Sequence, residues 1–210
     1  MSPEITPIRI LVVDDHPLLR SGIDALVAGQ ADMKVIAEGS NGREAIQQFR
    51  AHRPDITLMD LQMPDMTGLD AIMAIRGEFP DARIIVLTTY AGDVQALRAL
   101  QAGARAYLLK NAVHRELLDT IRSVHSGKKA MSPEVTYELA EHAIDDTLTP
   151  GEIDVLRLIA AGKANKQIAD ELSITEDTVK GRVKNILSKL GASDRTHAAM
   201  IGIKRGIIEI

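Results

Sequence analysis

The 210-residue chain has no cysteine and no tryptophan, and only 2% of its residues are aromatic. Without cysteine there is no disulfide and no thiolate metal site, which fits a reducing compartment. So few aromatics leave the cores to aliphatic side chains and argue against base stacking on an aromatic platform. No apolar run approaches the ~20 residues that a membrane span needs. The opening MSPEITPIRI holds an acid, two prolines and no long apolar core, so it does not read as a signal peptide. The expected setting is the cytoplasm, with no membrane partner.

Hydrophobic residues make up 45%, ample for buried cores, and the net charge of −4 is unevenly spread. Residues 147–210 carry ten Lys/Arg and eight Asp/Glu, or +2; residues 1–146 carry fifteen and twenty-one, or −6. An acidic front and a mildly basic back suggest two domains with different partners.

The front half alternates strand and helix patterns five times. Short apolar runs end at Asp14-Asp15, near Glu38, at Asp60, at Thr88-Thr89 and at Lys110. Between them lie helical patterns: Leu18, Leu19, Ile23, Leu26 and Val27; Ala45, Ile46 and Phe49 after an Asn41 cap; Leu69, Ile72, Met73 and Ile75 after a Thr67 cap; Val94, Leu97 and Leu100; and Leu117, Leu118, Ile121 and Val124. Such alternation predicts an α/β fold: a five-stranded, doubly wound parallel sheet with helices on both faces. With strand order 2-1-3-4-5, Asp14, Asp15, Asp60, Thr88 and Lys110 share one edge, outside the carboxyl ends of the strands, where ligands bind such sheets.

Each residue has a plainer reading by itself. Asp60 can be a turn or cap residue, Asp15 an N-cap before His16-Pro17, and Lys110 a solvated strand end. His16 reads as structural. Gln62 and Tyr90 either line the edge or are simple loop residues. Taken together, three close carboxylates call for a hard cation, and a donor set of oxygens favours Mg²⁺. Such a site suits phosphoryl transfer with Asp60 as nucleophile, Mg²⁺ and Lys110 neutralising phosphoryl oxygens, and Thr88 donating a hydrogen bond.

The DD at 14–15, D-x-x-M-P-x-x-x-G at 60–68, Thr88 and A-G-A-x-A-Y-L-L-K at 102–110 resemble the receiver domain of bacterial two-component response regulators, a flavodoxin-like fold, over about residues 7–125. The resemblance implies that Asp60 is the phospho-acceptor, that Asp14 and Asp15 hold Mg²⁺, and that Thr88 and Tyr107 form a switch pair. Asn111 stands where many receivers have proline, so no cis peptide is expected there.

Residues 126–146 read as a linker with a short helix starting at Ser132-Pro133-Glu134. The receiver is thus expected over 1–125 and a small all-α domain over 147–210. In the latter, Thr149-Pro150-Gly151-Glu152 is a capping box, Asn165 caps a short helix, and Thr175 caps the next after a three-residue turn. Two helices so joined form a helix-turn-helix. On the second, Val179, Val183, Ile186, Leu187 and Leu190 face inward. Lys180, Gly181, Lys184 and Ser188 face outward, and Arg182, Asn185 and Lys189 lie at the flanks. As a recognition helix in a DNA major groove, it points Lys180 and Lys184 at base edges and Arg182 and Asn185 at phosphates or flanking bases.

The segments L-T-P-x-E at 148–152, N-K-x-I-A-x-x-L at 165–172 and T-V-K-x-x-V-K-N-I-L-x-K-L at 178–190 resemble the LuxR-type helix-turn-helix of NarL/FixJ-type regulators. Arg182 departs from a frequent histidine, and Gly181 leaves a gap where some members have an apolar contact. By resemblance, the last helix, about Asp194 to Arg205, is a dimer contact; packing on its own domain is the alternative. The expected function is a transcription regulator that binds double-stranded DNA, forms a homodimer and is phosphorylated by a sensor histidine kinase. It is not expected to be an enzyme beyond phospho-acceptance and self-dephosphorylation. The competing readings are a metal-dependent aspartyl phosphatase or dehalogenase and a phosphorylation-independent DNA-binding scaffold.

Overall fold

A computed structural model describes residues 6–89, 93–131, 136 and 148–208. The chain divides into two compact units, Met1–Thr89 with Ala96–Thr136 and Tyr90–Gln95 with Tyr137–Ile210. The helix expected from Ser132, and Tyr90, lie outside the described residues.

The front half runs β1 (Ile8–Val13), α1 (Pro17–Ala28), β2 (Met33–Gly39), α2 (Gly42–His52), β3 (Ile56–Asp60), α3 (Gly68–Glu78), β4 (Ile84–Thr88), α4 (Asp93–Gln101), β5 (Ala106–Leu109), a 3-10 turn (Lys110–Ala112), α5 (Val113–His125) and β6 (Ala130–Met131). The strands are parallel, in the order β2-β1-β3-β4-β5-β6. The first five follow the expected order. The sixth was read as linker, because two residues are too few for a period-2 pattern to register; the Ala130 N–H donates to Arg105 O at 3.1 Å and holds it on the edge.

Every residue of β3 and β4 is buried. That explains their unbroken apolar runs: helices cover both faces, α1 packing with α5 and α2 with α3. Each fully buried Ile or Leu contributes about 1.5–3 kcal/mol. Asn41 and Thr67 cap α2 and α3 as expected, accepting from the N–H groups of Glu44 and Asp70. The helices bury narrower stripes than their patterns suggested. Leu18, Met73 and Leu97 are exposed, while Ala71, Ala96 and Ala99 sit inside. No peptide bond among the described residues is cis.

In the second unit, α6 (Pro150–Ala160), α7 (Asn165–Leu172), α8 (Glu176–Lys189) and α9 (Arg195–Lys204) surround Leu156, Ile168, Val179, Ile186 and Ala198. Ile207 and Ile208, just after α9, complete that core. Ser173, in a left-handed conformation (φ 54°), turns the chain between α7 and α8. One cap differs from expectation. Asn165 is the first helical residue and Ala164 the cap, whose N–H is taken by Gln167 Oε1 at 2.8 Å. Of the apolar residues of α9, Ala198 and Ala199 are buried, Ile201 and Ile203 half-buried and Met200 exposed.

Glu152 closes the expected capping box and is buried. Its Oε2 accepts from the Thr149 N–H at 2.8 Å and from Lys189 Nζ at 2.9 Å. Burial opposes its charge, but the bonds from Lys189 and Thr149 outweigh that and hold the carboxyl below its usual value. A depressed carboxylate adds stability that is fully present above its unfolded pKa, near 4.5, and is lost as pH falls through the folded value. Glu152→Gln should therefore destabilise this unit by about 2 kcal/mol at neutral pH. The deficit should shrink below about pH 4.5. Urea unfolding followed by circular dichroism at several pH values checks both.

Candidate functional site

The carboxyl edge of the sheet gathers the expected residues. Asp14 and Asp15 follow β1, Asp60 and Thr88 end β3 and β4, and Lys110 follows β5. β3 and β4 are in register with Asp60 opposite Leu87, so Thr88 stands one residue further along the edge. Asp14, Asp60 and Thr88 are buried. Lys110 Nζ bridges two of the carboxylates, 2.7 Å from Asp60 Oδ2 and 2.8 Å from Asp14 Oδ2. The Gln62 N–H donates to Asp60 Oδ1 at 3.2 Å. The Arg20 guanidinium donates to Asp14 O at 2.6 Å and pairs with Glu38, fixing the end of β1.

One ammonium among three carboxylates leaves the edge short of positive charge. Burial, and then the charge of Asp14, push the Asp60 carboxyl up, although Lys110 pulls it down. Burial works against the Lys110 charge, yet Asp14 and Asp60 together hold its pKa above the usual lysine value. Asp14 Oδ2 and Asp15 Oδ1 are buried and take part in no hydrogen bond of good geometry, although Lys110 Nζ lies 2.8 Å from the first and His16 Nδ1 2.6 Å from the second. Excess negative charge and underused oxygens fit a divalent cation held by Asp14, Asp15 and Asp60. Ligand atoms of these three and of His16 lie within 4.8 Å of one another. His16, read as structural, thus stands beside the carboxylates.

Tyr107 is buried and shares a side-chain hydrogen bond with Thr88; burial pushes its hydroxyl pKa up. Thr88 is therefore linked to β5 as well as placed beside Asp60. Gly68 is a further part of the site that its turn-like sequence did not reveal. A Cβ there would land on the Asp60 carbonyl oxygen and come within 2.9 Å of Leu61 Cα, so α3 starts directly against the end of β3.

In the second unit, Lys180, Gly181, Lys184, Asn185 and Ser188 of α8 are exposed, and Val179 and Ile186 are buried, as the pattern predicts. The cations are not equivalent. Lys180 Nζ lies 3.1 Å from Asp177 Oδ1 and 3.6 Å from Glu176 Oε1. Arg182 is half-buried and donates to Gly151 O at 3.2 Å, and Lys189 holds Glu152. Lys184 is exposed and enters no ion pair among the described residues.

Comparison with known proteins places both halves. The response regulator receiver domain family matches residues 10–122, and the luxR family of bacterial regulatory proteins matches residues 146–201. The response regulator protein VraR of Staphylococcus aureus is 37% identical over 207 residues, covering 96% of this chain and 99% of VraR. A LuxR-family two-component response regulator from Aurantimonas sp. SI85-9A1 is similar in structure, with a TM-score of 0.64 and 36% identity over 67% of this chain and all of that one. RcsB from Salmonella enterica serovar Typhimurium, bound to promoter P1flhDC in the presence of phosphomimetic BeF3-, gives a TM-score of 0.74 at 26% identity, covering 93% of this chain and 98% of that one.

Proposed function

Because the chain belongs to the response regulators, with a receiver domain ahead of a LuxR-family DNA-binding domain, we propose that phosphorylation of Asp60 by a sensor histidine kinase controls its binding to DNA. The observation that carries this reading is the buried Asp14–Lys110–Asp60 cluster at the sheet edge. The Asp60 carboxylate attacks phosphorus. An acyl–phosphate bond forms, and the bond to the kinase's histidine nitrogen breaks. Lys110 is placed to neutralise the transferred oxygens. Mg²⁺, held by Asp14, Asp15 and Asp60, supplies further charge compensation when bound. The Thr88 hydroxyl leaves Tyr107 for a phosphoryl oxygen, so the two act as a switch pair. Self-dephosphorylation by water at the same site resets it.

We take the receiver as 1–125, the linker as 126–146 and the DNA-binding domain as 147–210, acting in the cytoplasm and as a homodimer when phosphorylated or bound to DNA. No helix among the described residues is long and apolar enough to cross a membrane. The test is DNA affinity and molecular mass with and without a small phosphodonor and Mg²⁺. Tighter binding and a doubled mass are expected; indifference of both to the phosphodonor rejects the switch.

Helix α8 is the DNA reader in this proposal, with Lys180, Gly181, Arg182, Lys184 and Asn185 at the interface. Lys184→Ala should cost about 1–3 kcal/mol if its base contact is lost. Lys180→Ala should cost less, because Lys180 must first leave Asp177 and Glu176. Titration of each variant against a promoter fragment at fixed moderate salt compares them, and equal affinities for wild type and both variants would remove α8 from the interface.

A further inference from the structure

Among the described residues, His16 is the one histidine beside the acidic edge. It stands next to Asp15 in sequence, and its side chain is 69% exposed. Its backbone N–H donates to Asp14 Oδ1 at 2.8 Å. Its ring Nδ1 lies 3.2 Å from Asp14 Oδ1 and 2.6 Å from Asp15 Oδ1. The backbone bond fixes the start of the side chain, and the ring, although largely exposed, places Nδ1 on the carboxylate side. Lys110 occupies the inner side, between Asp14 and Asp60. Asp14 Oδ2 is buried there without a well-formed hydrogen bond.

The donor set is therefore three carboxylates and one imidazole nitrogen within reach of a single ion. Oxygen donors and water suit Mg²⁺, whereas an imidazole nitrogen shifts preference toward Ni²⁺, Co²⁺ and Zn²⁺, which also stand above Mn²⁺ in intrinsic affinity. Mg²⁺ gains little from nitrogen and keeps its waters. We propose that His16 is a fourth ligand at this edge and makes it a mixed nitrogen–oxygen site, able to take a borderline divalent cation such as Ni²⁺ in competition with Mg²⁺. This inference rests on reading Asp14, Asp15 and Asp60 as the cation site. Such an ion takes the same carboxylates that would hold Mg²⁺, so occupancy of the edge becomes sensitive to transition metals.

Isothermal titration calorimetry on the full chain at about pH 8 tests it. Wild type, His16→Ala and Asp15→Asn are each titrated with Ni²⁺ and with Mg²⁺. His16→Ala should lose at least on the order of tenfold in Ni²⁺ affinity, the loss typical even of an outer-shell partner. Its Mg²⁺ affinity should change by less than about twofold, since Mg²⁺ prefers oxygen. The visible spectrum of Co²⁺-loaded protein should also change on losing the nitrogen donor. If Ni²⁺ binds His16→Ala as tightly as wild type, or if Ni²⁺ and Mg²⁺ weaken together, His16 is not a nitrogen ligand and the inference fails. If Mg²⁺ binds Asp15→Asn as well as wild type, the cation-site reading itself fails, separately from any result for His16.

Discussion

Asp60→Asn should reduce acid-labile phosphate incorporation from a small phosphodonor and Mg²⁺ to background. The amide has nearly the carboxylate's shape but no nucleophilic oxygen anion. Folding should survive the change. Lys110 keeps Asp14 at 2.8 Å, so the substitution leaves no buried ammonium unpaired. Burial and Asp14 raise the Asp60 pKa, so its folded form holds a proton more tightly than its unfolded form. A raised carboxyl adds stability below its unfolded pKa and loses it as pH rises through the folded value. At neutral pH the charge of Asp60 is therefore a cost, and Asp60→Asn should be as stable as wild type or more stable by about 1 kcal/mol. Radiolabelled phosphodonor assays and thermal unfolding read the two halves of this expectation. Labelling at the wild-type level would place the acceptor elsewhere.

Gly68→Ala should damage both stability and the site. Its backbone is not in the left-handed region, so the cause is space. The added methyl would overlap the Asp60 carbonyl and crowd Leu61, both backbone groups that no rotamer change can move. Either α3 backs away from the sheet or the end of β3 shifts, and with it the Asp60 side chain. Overpacking of this kind typically costs 1–3 kcal/mol and can cost more, so a loss of about 3 kcal/mol is expected. Phosphate incorporation should fall even in protein that remains folded, because a displacement near 1 Å can cost on the order of a hundredfold in rate. Urea unfolding and initial labelling rates check this; wild-type values for both would show that the loop yields.

Much of the site was legible because each part depends on its own stretch of chain. A buried parallel strand reads as an apolar run, and the residue that ends it sits at the sheet edge, as Asp14, Asp60, Thr88 and Lys110 do. The caps at Asn41, Thr67, Thr149 and Thr175 are local hydrogen bonds to N–H groups a few residues ahead. The inward face of α8 follows from 3.6-residue spacing. Exposure of Leu18, Met73 and Leu97 was not legible. Periodicity locates an apolar side of a helix but not how far its neighbours reach around it.

The sequence by itself determined the order of the first five strands and the helices between them, the strand ends that carry carboxylates, hydroxyl and ammonium, and most of the helix starts. These properties are short-range and need no knowledge of what lies opposite. Only the tertiary structure decided how distant segments meet. Lys110 reaches Asp60 across fifty positions of chain. Gly68 is required by the approach of α3 to β3, and Arg182 and Lys189 are drawn to the first turn of α6. His16 turns its ring onto Asp14 and Asp15. Each of these outcomes depends on the space and charge left by a second segment, and neither segment encodes the other's position.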